Sequence, residues 1–551
     1  MKTKIFAVSA AALLLAGCAA QTASQSGTAQ TAESADPLTL TFFNIDGVSD
    51  PWTDPVALKI TEATGVSLKT EYPARGSGDA IDLMLADGDY PDLIYAKEKS
   101  NRLIEAGALI DLAPLIDEYG PNIKKLYGDD YDKMRWSADD PSIYMLSAAS
   151  ANQETYATSG TAQLQWAVLK ENNYEIPHTI DEYETMLKDY LAKYPLINGQ
   201  KTIGLSICVT DWHWYITLSN PAAGIANGSP DDGQWTIAED GTAHYANGSE
   251  AQVEFFRWLN RMYHEGVLDP EFAIQTHDDY LQKIASGRVL GLMDTEWDYA
   301  DSKKALLLAD EADRTYAGLP VTLNADVPCT VMQGQGIATA WGVGITTACK
   351  DPVRAIKFLD YLCSDEGQVL INWGLQDVNY TLDADGRRVR SAEELARAES
   401  DVNYTAETGV GFHTYPFPRY ARGVLDDTGS PYQLQDKQSA IAEYNDEERA
   451  ACDAWGVELL CDIFPQADEL PAATHSAGWA VPIPTTLSTE KDALDAIAWP
   501  GLVDCIICDE ADFDAHWQKL QDDLDAAGRA DAEAAMTKAV QGQMAFWKSL
   551  E

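Results

Sequence analysis

The sequence predicts an α/β fold arranged as two lobes or more, and two observations carry that expectation. At 551 residues the chain is too long for one compact core. From residue 38 onward, strand-like and helix-like segments alternate, the pattern of a parallel sheet with crossover helices. No internal repeat is present.

The elements follow in order. "MKTK" is a short basic start, "IFAVSAAALLLAG" an apolar run, and "LAGC" ends at Cys18. Residues 1–17 therefore read as a secretory signal, too short to span a membrane. Its end resembles a lipobox, which implies cleavage before Cys18 and a lipid on that thiol. Residues 18–36 are small and polar and predict a flexible tether. "LTLTFFN" (38–44) alternates and predicts a strand, followed by a helix from about Pro55 to Thr64 closed by Gly65. "VSLKTEY" (66–72) predicts a second strand; a helix near Asp79–Ala86 then leads through "DGDYPDLIYA" into a third. Such sheets bind ligands outside the carboxyl ends of their strands, here Asn44–Asp46, Tyr72–Pro73 and Tyr95–Ala96.

A second series begins near residue 155. In "PHTIDEYETMLKDYLAKY", Thr179 and Glu182 predict a capping box on an amphipathic helix. "KTIGLSICV" (201–209) is a strand, and 250–265 an amphipathic helix stopped by Gly266. Asp351 and Pro352 open a helix whose buried stripe is Val353, Ile356, Leu359 and Leu362. The last forty residues are helical and acidic.

Composition narrows the function. Against 39 Lys and Arg stand 87 Asp and Glu, a net charge of −48 spread along the chain. That excludes a nucleic-acid partner, whose phosphates need basic contacts. It also disfavours a polyanionic ligand unless a local basic pocket overrides the mean field. Fifteen Trp and 25 Tyr against 12 Phe suit wet binding surfaces as well as cores. The eight cysteines after Cys18 form no small-domain disulfide framework, and "CIIC" (505–508) lacks a second pair for zinc.

Enzyme signatures are missing. There is no HExxH, no GxSxG and no D-x-D-x-D-G loop; "DADG" (383–386) reads as a turn between strands. "QGQGIATAWGVG" (333–344) lacks the third glycine of a nucleotide loop. With so many acids, no carboxylate pair for glycoside hydrolysis can be singled out. Neither a metal site nor a cofactor is implied.

Several stretches together resemble the extracellular solute-binding proteins of family 1, the maltose-binding-protein-like receptors of ABC importers. They are "GDYPDLI" (88–94), "YHEGVLDPEF" (263–272) with the following "KIASGRVLGLMDTEW", the long run 351–389, and "DEADFDAHWQKLQDDLDAAG". The resemblance is to the long-chain lipoprotein branch; "WPGLVDCIICDE" (499–510) departs from it. It implies two hinged lobes with a ligand cleft between them: 37–150 with about 315–365, and about 155–312 with 366–551. It also implies a non-enzymatic monomer that is anchored to the outer membrane face by its lipid, binds a carbohydrate and partners ABC permease subunits. "TEWDY" (295–299) stands where maltose-binding proteins place a sugar-stacking aromatic, which implies Trp297 as a ligand contact and Asp298 as a hydroxyl acceptor.

A sugar offers apolar C–H faces and a rim of hydroxyls, so its site needs flat aromatics plus a few placed polar groups. Further candidates at strand ends or loops are Asn44, Asp46, Trp52, Trp212, Trp214, Trp373 and Tyr380, each of which could instead pack a core. "TDWHWYI" (210–216) poses the choice most sharply. If Thr210 or Asp211 caps a helix, Trp212 shares a face with Tyr215 or Ile216 while Trp214 turns elsewhere. If the strand continues, both tryptophans point one way and His213 the other. Trp212 is the residue favoured for the cleft, and His213 has no catalytic partner in sequence reach.

Overall fold

The computed structural model describes residues 36–46, 49–72, 79–148, 156, 158, 160–333, 337, 339, 341–434, 437–470 and 481–550. The signal segment, Cys18 and Pro73 lie outside them. No described helix is long and apolar enough to cross a membrane.

Two sheets organise two lobes. In the first, strands Val66–Glu71, Leu38–Asn44 and Leu93–Tyr95 run parallel, followed by Gly342–Ile345, which is antiparallel to both its neighbours, Leu93–Tyr95 and Leu146–Ser147. The first crossover shows how the sequence builds it. Asp54 caps helix Pro55–Thr64, its carboxylate accepting the Ala57 N–H at 2.9 Å. Pro55 occupies the first turn, where its missing N–H costs nothing, and Gly65 ends the helix at φ 68°. Gly342 belongs to a strand rather than a phosphate loop: a Cβ there would meet the Leu146 carbonyl oxygen at 2.4 Å.

The second sheet has the order Tyr316–Gly318, Thr161–Gln165, Val289–Asp294, Ile203–Ser206. Val289–Asp294 and Ile203–Ser206 are parallel, so their carboxyl ends lie side by side. The capping box of Thr179 and Glu182 forms and starts helix Ile180–Lys193. This lobe's core includes Trp166, Trp235, Phe255, Phe256 and Trp258 and is closed by the C-terminal helices through Leu494, Met536 and Val540.

The lobe boundaries differ from those the sequence suggests. Tyr316–Gly318 pairs with Thr161–Gln165, so the chain stays in the second lobe past residue 315. Leu370, Ile371, Phe417, Tyr420 and Tyr432 bury in the first core, so that 366–434 packs with the first lobe and not the second. An apolar helical stripe announces burial without saying against which partner.

The chain thus passes between lobes three times, and all three passages meet in one satellite core. Tyr156 comes from the first passage, Met332 from the second, and Ala440, Tyr444, Cys452, Leu459, Cys461 and Phe464 from the third. The lobes also touch elsewhere. The Gln543 side chain donates to the Arg135 carbonyl at 3.2 Å, Trp547 to that of Lys133 at 3.3 Å, and the Thr485 N–H to Glu105 at 2.8 Å. Among the described residues, the eight cysteines form no disulfide with one another. Cys505 and Cys508 sit at the end of helix Thr485–Ile507, which continues through Pro500. Burial pushes Cys505 up to about 12, far from a reactive thiolate.

Candidate ligand-binding site

The carboxyl ends of the two parallel strands in the second sheet carry a group of rings. After Ile203–Ser206 the chain turns at Asp211, whose carboxylate accepts the His213 N–H at 3.0 Å, and continues into the wide π-helical turn Tyr215–Ser219. This turn splits the two tryptophans. Trp212 is 51 % exposed; Trp214 is 2 % exposed and stacks on Trp499 at 5.8 Å and 2° in the lobe's core. After Val289–Asp294, helix Glu296–Leu308 begins with Trp297, 62 % exposed. The Trp212 and Trp297 rings lie parallel, 6.2 Å apart at 8°, forming one aromatic ledge.

Beneath the ledge the stack continues. The Trp212 ring lies 3.9 Å from that of His213, which lies 3.6 Å from that of His277, inclined by only 15°. Asp298 ties the two imidazoles together: His277 Nε2 donates to it at 2.9 Å and His213 Nε2 faces it at 3.4 Å. Its side chain is 4 % exposed. Burial opposes its charge, but both histidines hold Asp298 below the usual carboxylate range. Asp294 is pushed the opposite way, by burial and by the adjacent Asp298 charge, and accepts the Tyr280 hydroxyl at 2.8 Å. Asp298 is therefore corrected from a hydroxyl acceptor to a support under the ledge, because both its oxygens face histidines.

His213 also meets the Asp211 carboxylate through Nδ1. Burial works against its charged form, but Asp298 and Asp211 outweigh it and raise its pKa above the ordinary histidine value. A raised folded-state pKa makes the imidazolium stabilising below the unfolded value of about 6.5, and that contribution is lost as pH climbs through the raised value. The stability gap between the native protein and His213→Asn is thus expected to be widest near about pH 6 and to narrow towards about pH 9. Thermal melts across that range measure it, and a constant gap would sink the assignment.

The wall contributed by the first lobe lies at the carboxyl ends of its own parallel strands. Asn44 accepts the Asp46 N–H at 3.0 Å, Asp46 pairs with Lys97 at 2.6 Å, and Lys97 lies over Trp341 at 4.9 Å. Tyr95 and Tyr415 share a hydroxyl hydrogen bond.

Three other candidates leave the site. Trp52, 5 % exposed, donates to Thr61 Oγ1 at 2.9 Å and packs edge-on against His413. Trp373, 6 % exposed, donates to the Pro431 carbonyl at 3.0 Å, and Tyr380 packs against it at 5.9 Å. Each of the two indoles satisfies its N–H inside the first lobe, so Trp52 and Trp373 are core residues, with the half-buried Tyr380 packed beside Trp373. Among the described residues, no contact links Tyr380 to the ledge. His213 gains in the fold the partners that local sequence did not offer, and His277, Lys97 and Tyr415 join the two walls with no local sequence signal to mark them.

Among the described residues, three groups come close enough to bracket an ion: Cys208, Asp211 and His213; His213, His277 and Asp298; Asp50, Asp54 and His413. In the second, each histidine Nε2 already faces its own oxygen of the Asp298 carboxylate. In the first, burial raises the Cys208 thiol to about 11. In the third, Asp54 is already a helix cap.

Two cavities, of about 440 and 270 Å³, open at the amino ends of the second sheet's strands. Lys283 there is tied to Asp269 at 2.8 Å and Gln275 at 2.8 Å, and no aromatic face lines either. The ledge, not these cavities, has the chemistry of a ring-binding site.

The comparisons agree with this architecture. Lipoprotein LipO of Bacillus subtilis (strain 168) is 25 % identical over 411 residues, covering 69 % of this chain and 74 % of LipO. The solved alginate-binding protein AlgQ2 superposes with a TM-score of 0.66 at 20 % identity, over 92 % of this chain and 98 % of its own. The ABC-transporter substrate binding protein FusA of Streptococcus pneumoniae, solved with fructo-nystose, gives 0.65 at 18 % identity over 92 % and 100 %. At these identities the likeness is one of fold. The family model of the bacterial extracellular solute-binding protein matches residues 56–374, more than half of the sequence, and the chain belongs to that family.

Proposed function

We propose that this chain is an exported, lipid-anchored receptor that captures an oligosaccharide between its lobes and delivers it unaltered to an ABC permease. The observation that carries the reading is the exposed, parallel Trp212–Trp297 ledge at the carboxyl ends of two parallel strands. A pyranose lays its C–H face on such a ledge and turns its hydroxyls to polar groups of the opposite wall, where Asp46 and Lys97 stand. The sugars bound by FusA and AlgQ2 support the same substrate class. Residues 1–17 supply export and Cys18 the anchor, and the tether 18–36 lets a monomeric body reach the permease. A ligand that touches both walls favours the closed arrangement by its differential affinity.

A thermal-shift screen of the leaderless protein tests the reading against neutral, acidic and amino sugars and against peptides. A cognate oligosaccharide at about a hundredfold its Kd is expected to stabilise by about 2.7 kcal/mol. Shifts with peptides alone would replace the oligosaccharide by a peptide. Cleaved products after prolonged incubation would make the protein a hydrolase instead.

A further inference from the structure

The first wall holds a cation that the fold leaves unanswered. Arg419 stands over the Tyr415 ring at 5.6 Å, and Tyr415 shares its hydroxyl hydrogen bond with Tyr95, the last residue of a parallel strand. Through Tyr415 and Tyr95, the guanidinium is tied to the carboxyl end of that strand, the end at which parallel sheets of this kind bind ligands. Its Nε is buried without an acceptor, and among the described residues it makes neither a hydrogen bond nor an ion pair. Burial and the neighbouring Arg422 both work against its charge, the burial more strongly. Arg422 is likewise without an ion pair among the described residues.

In a chain with 87 acidic side chains, this is not for want of carboxylates. Other arginines of the same lobe find one, as Arg388 does with Asp426 at 2.5 Å and Arg135 with Asp132 at 2.7 Å. Leaving a half-buried guanidinium unpaired is costly, and its planar fork is satisfied best by two oxygens of one carboxylate or oxyacid. The surrounding field of −48 resists a string of negative charges but not a single one met by two arginines.

We infer that Arg419, with Arg422 beside it, recognises one carboxylate of an acidic sugar within the captured oligosaccharide, opposite the tryptophan ledge. The inference rests on the oligosaccharide reading of the cleft and narrows its substrate class. The ledge takes the ring, and the guanidinium selects the ring that carries the acid.

Calorimetry on the leaderless protein with matched sugars tests this: cellobiose against cellobiouronic acid, and lactose against 3′-sialyllactose and lactose 3′-sulfate. At least one carboxylated sugar is expected to bind tenfold or more tighter than its neutral match. Arg419→Gln should lose that preference and keep the neutral affinity, whereas Arg419→Lys should retain part of it. Equal or tighter binding of both neutral sugars overturns the inference and leaves the carbohydrate reading intact. No binding by any sugar, neutral or acidic, overturns both. Preference for the sulfated sugar alone replaces the carboxylate by a sulfate. A ligand-free measurement guards against a merely structural arginine: Arg419→Met should melt no lower than the native protein, since it removes a half-buried charge that has no partner among the described residues. A clear drop in its melting temperature would give Arg419 a structural role and remove the inference.

Discussion

Replacing Trp212 and Trp297 together by alanine is expected to cut oligosaccharide affinity by about a hundredfold or more, with the unliganded protein as stable as before. Truncating a central aromatic anchor costs about 2 kcal/mol. At about 1.4 kcal/mol per tenfold, two such anchors exceed a hundredfold even if their effects do not fully add. Stability is spared because both rings are more than half exposed, so their removal leaves no internal void. The His213–Asp298–His277 support remains beneath them. Calorimetry with the sugar found in the thermal screen, alongside melts of the free variant, measures both halves of the expectation. Full affinity in the double variant would remove the ledge from the site.

Two residues along the chain from Trp212, the same substitution should do the reverse. Trp214→Ala is expected to destabilise the second lobe by about 3–5 kcal/mol, the usual cost of emptying a buried aromatic position. The Trp214 ring lies flat on Trp499, whose indole N–H donates to the Val209 carbonyl at 2.7 Å, so the lost volume sits in a braced layer that cannot easily collapse. Urea unfolding followed by near-ultraviolet circular dichroism reads the loss. A cost below about 1 kcal/mol, typical of surface sites, would contradict the burial of this ring.

This pair of tryptophans also marks the limit of what was legible in the sequence. Where structure is local, residue types suffice. Asp54 and Gly65 bound their helix as their capping chemistry requires, and Thr179 with Glu182 closes the expected box. A capped turn after residue 209 did predict that Trp212 and Trp214 part company, but a continued strand predicted the opposite. The choice depended on Asp211 accepting the His213 N–H and on the wide turn that follows. Trp52 and Trp373 look like binding aromatics in sequence because a polar ring edge suits water as well as a buried acceptor; only the fold supplies Thr61 and Pro431 as those acceptors. The same holds for His277 and Arg419, brought to the walls from 64 and more residues away by tertiary packing. Helix Asp365–Trp373 carries a clear apolar stripe, yet nothing in a stripe names the core that receives it.

The shared satellite core bears on durability outside the cell. A two-lobed protein with one linker is severed by one proteolytic cut. Here a break in any single passage leaves the lobes joined by the other two, and the severed ends stay pinned through Tyr156, Met332 or Phe464 to the same apolar knot. Lys170 and Glu447, paired at 2.9 Å, and Trp455, donating to the Tyr174 carbonyl at 2.7 Å, fasten the third passage to the second lobe as well. A single nick in one passage is therefore expected to leave the two lobes associated.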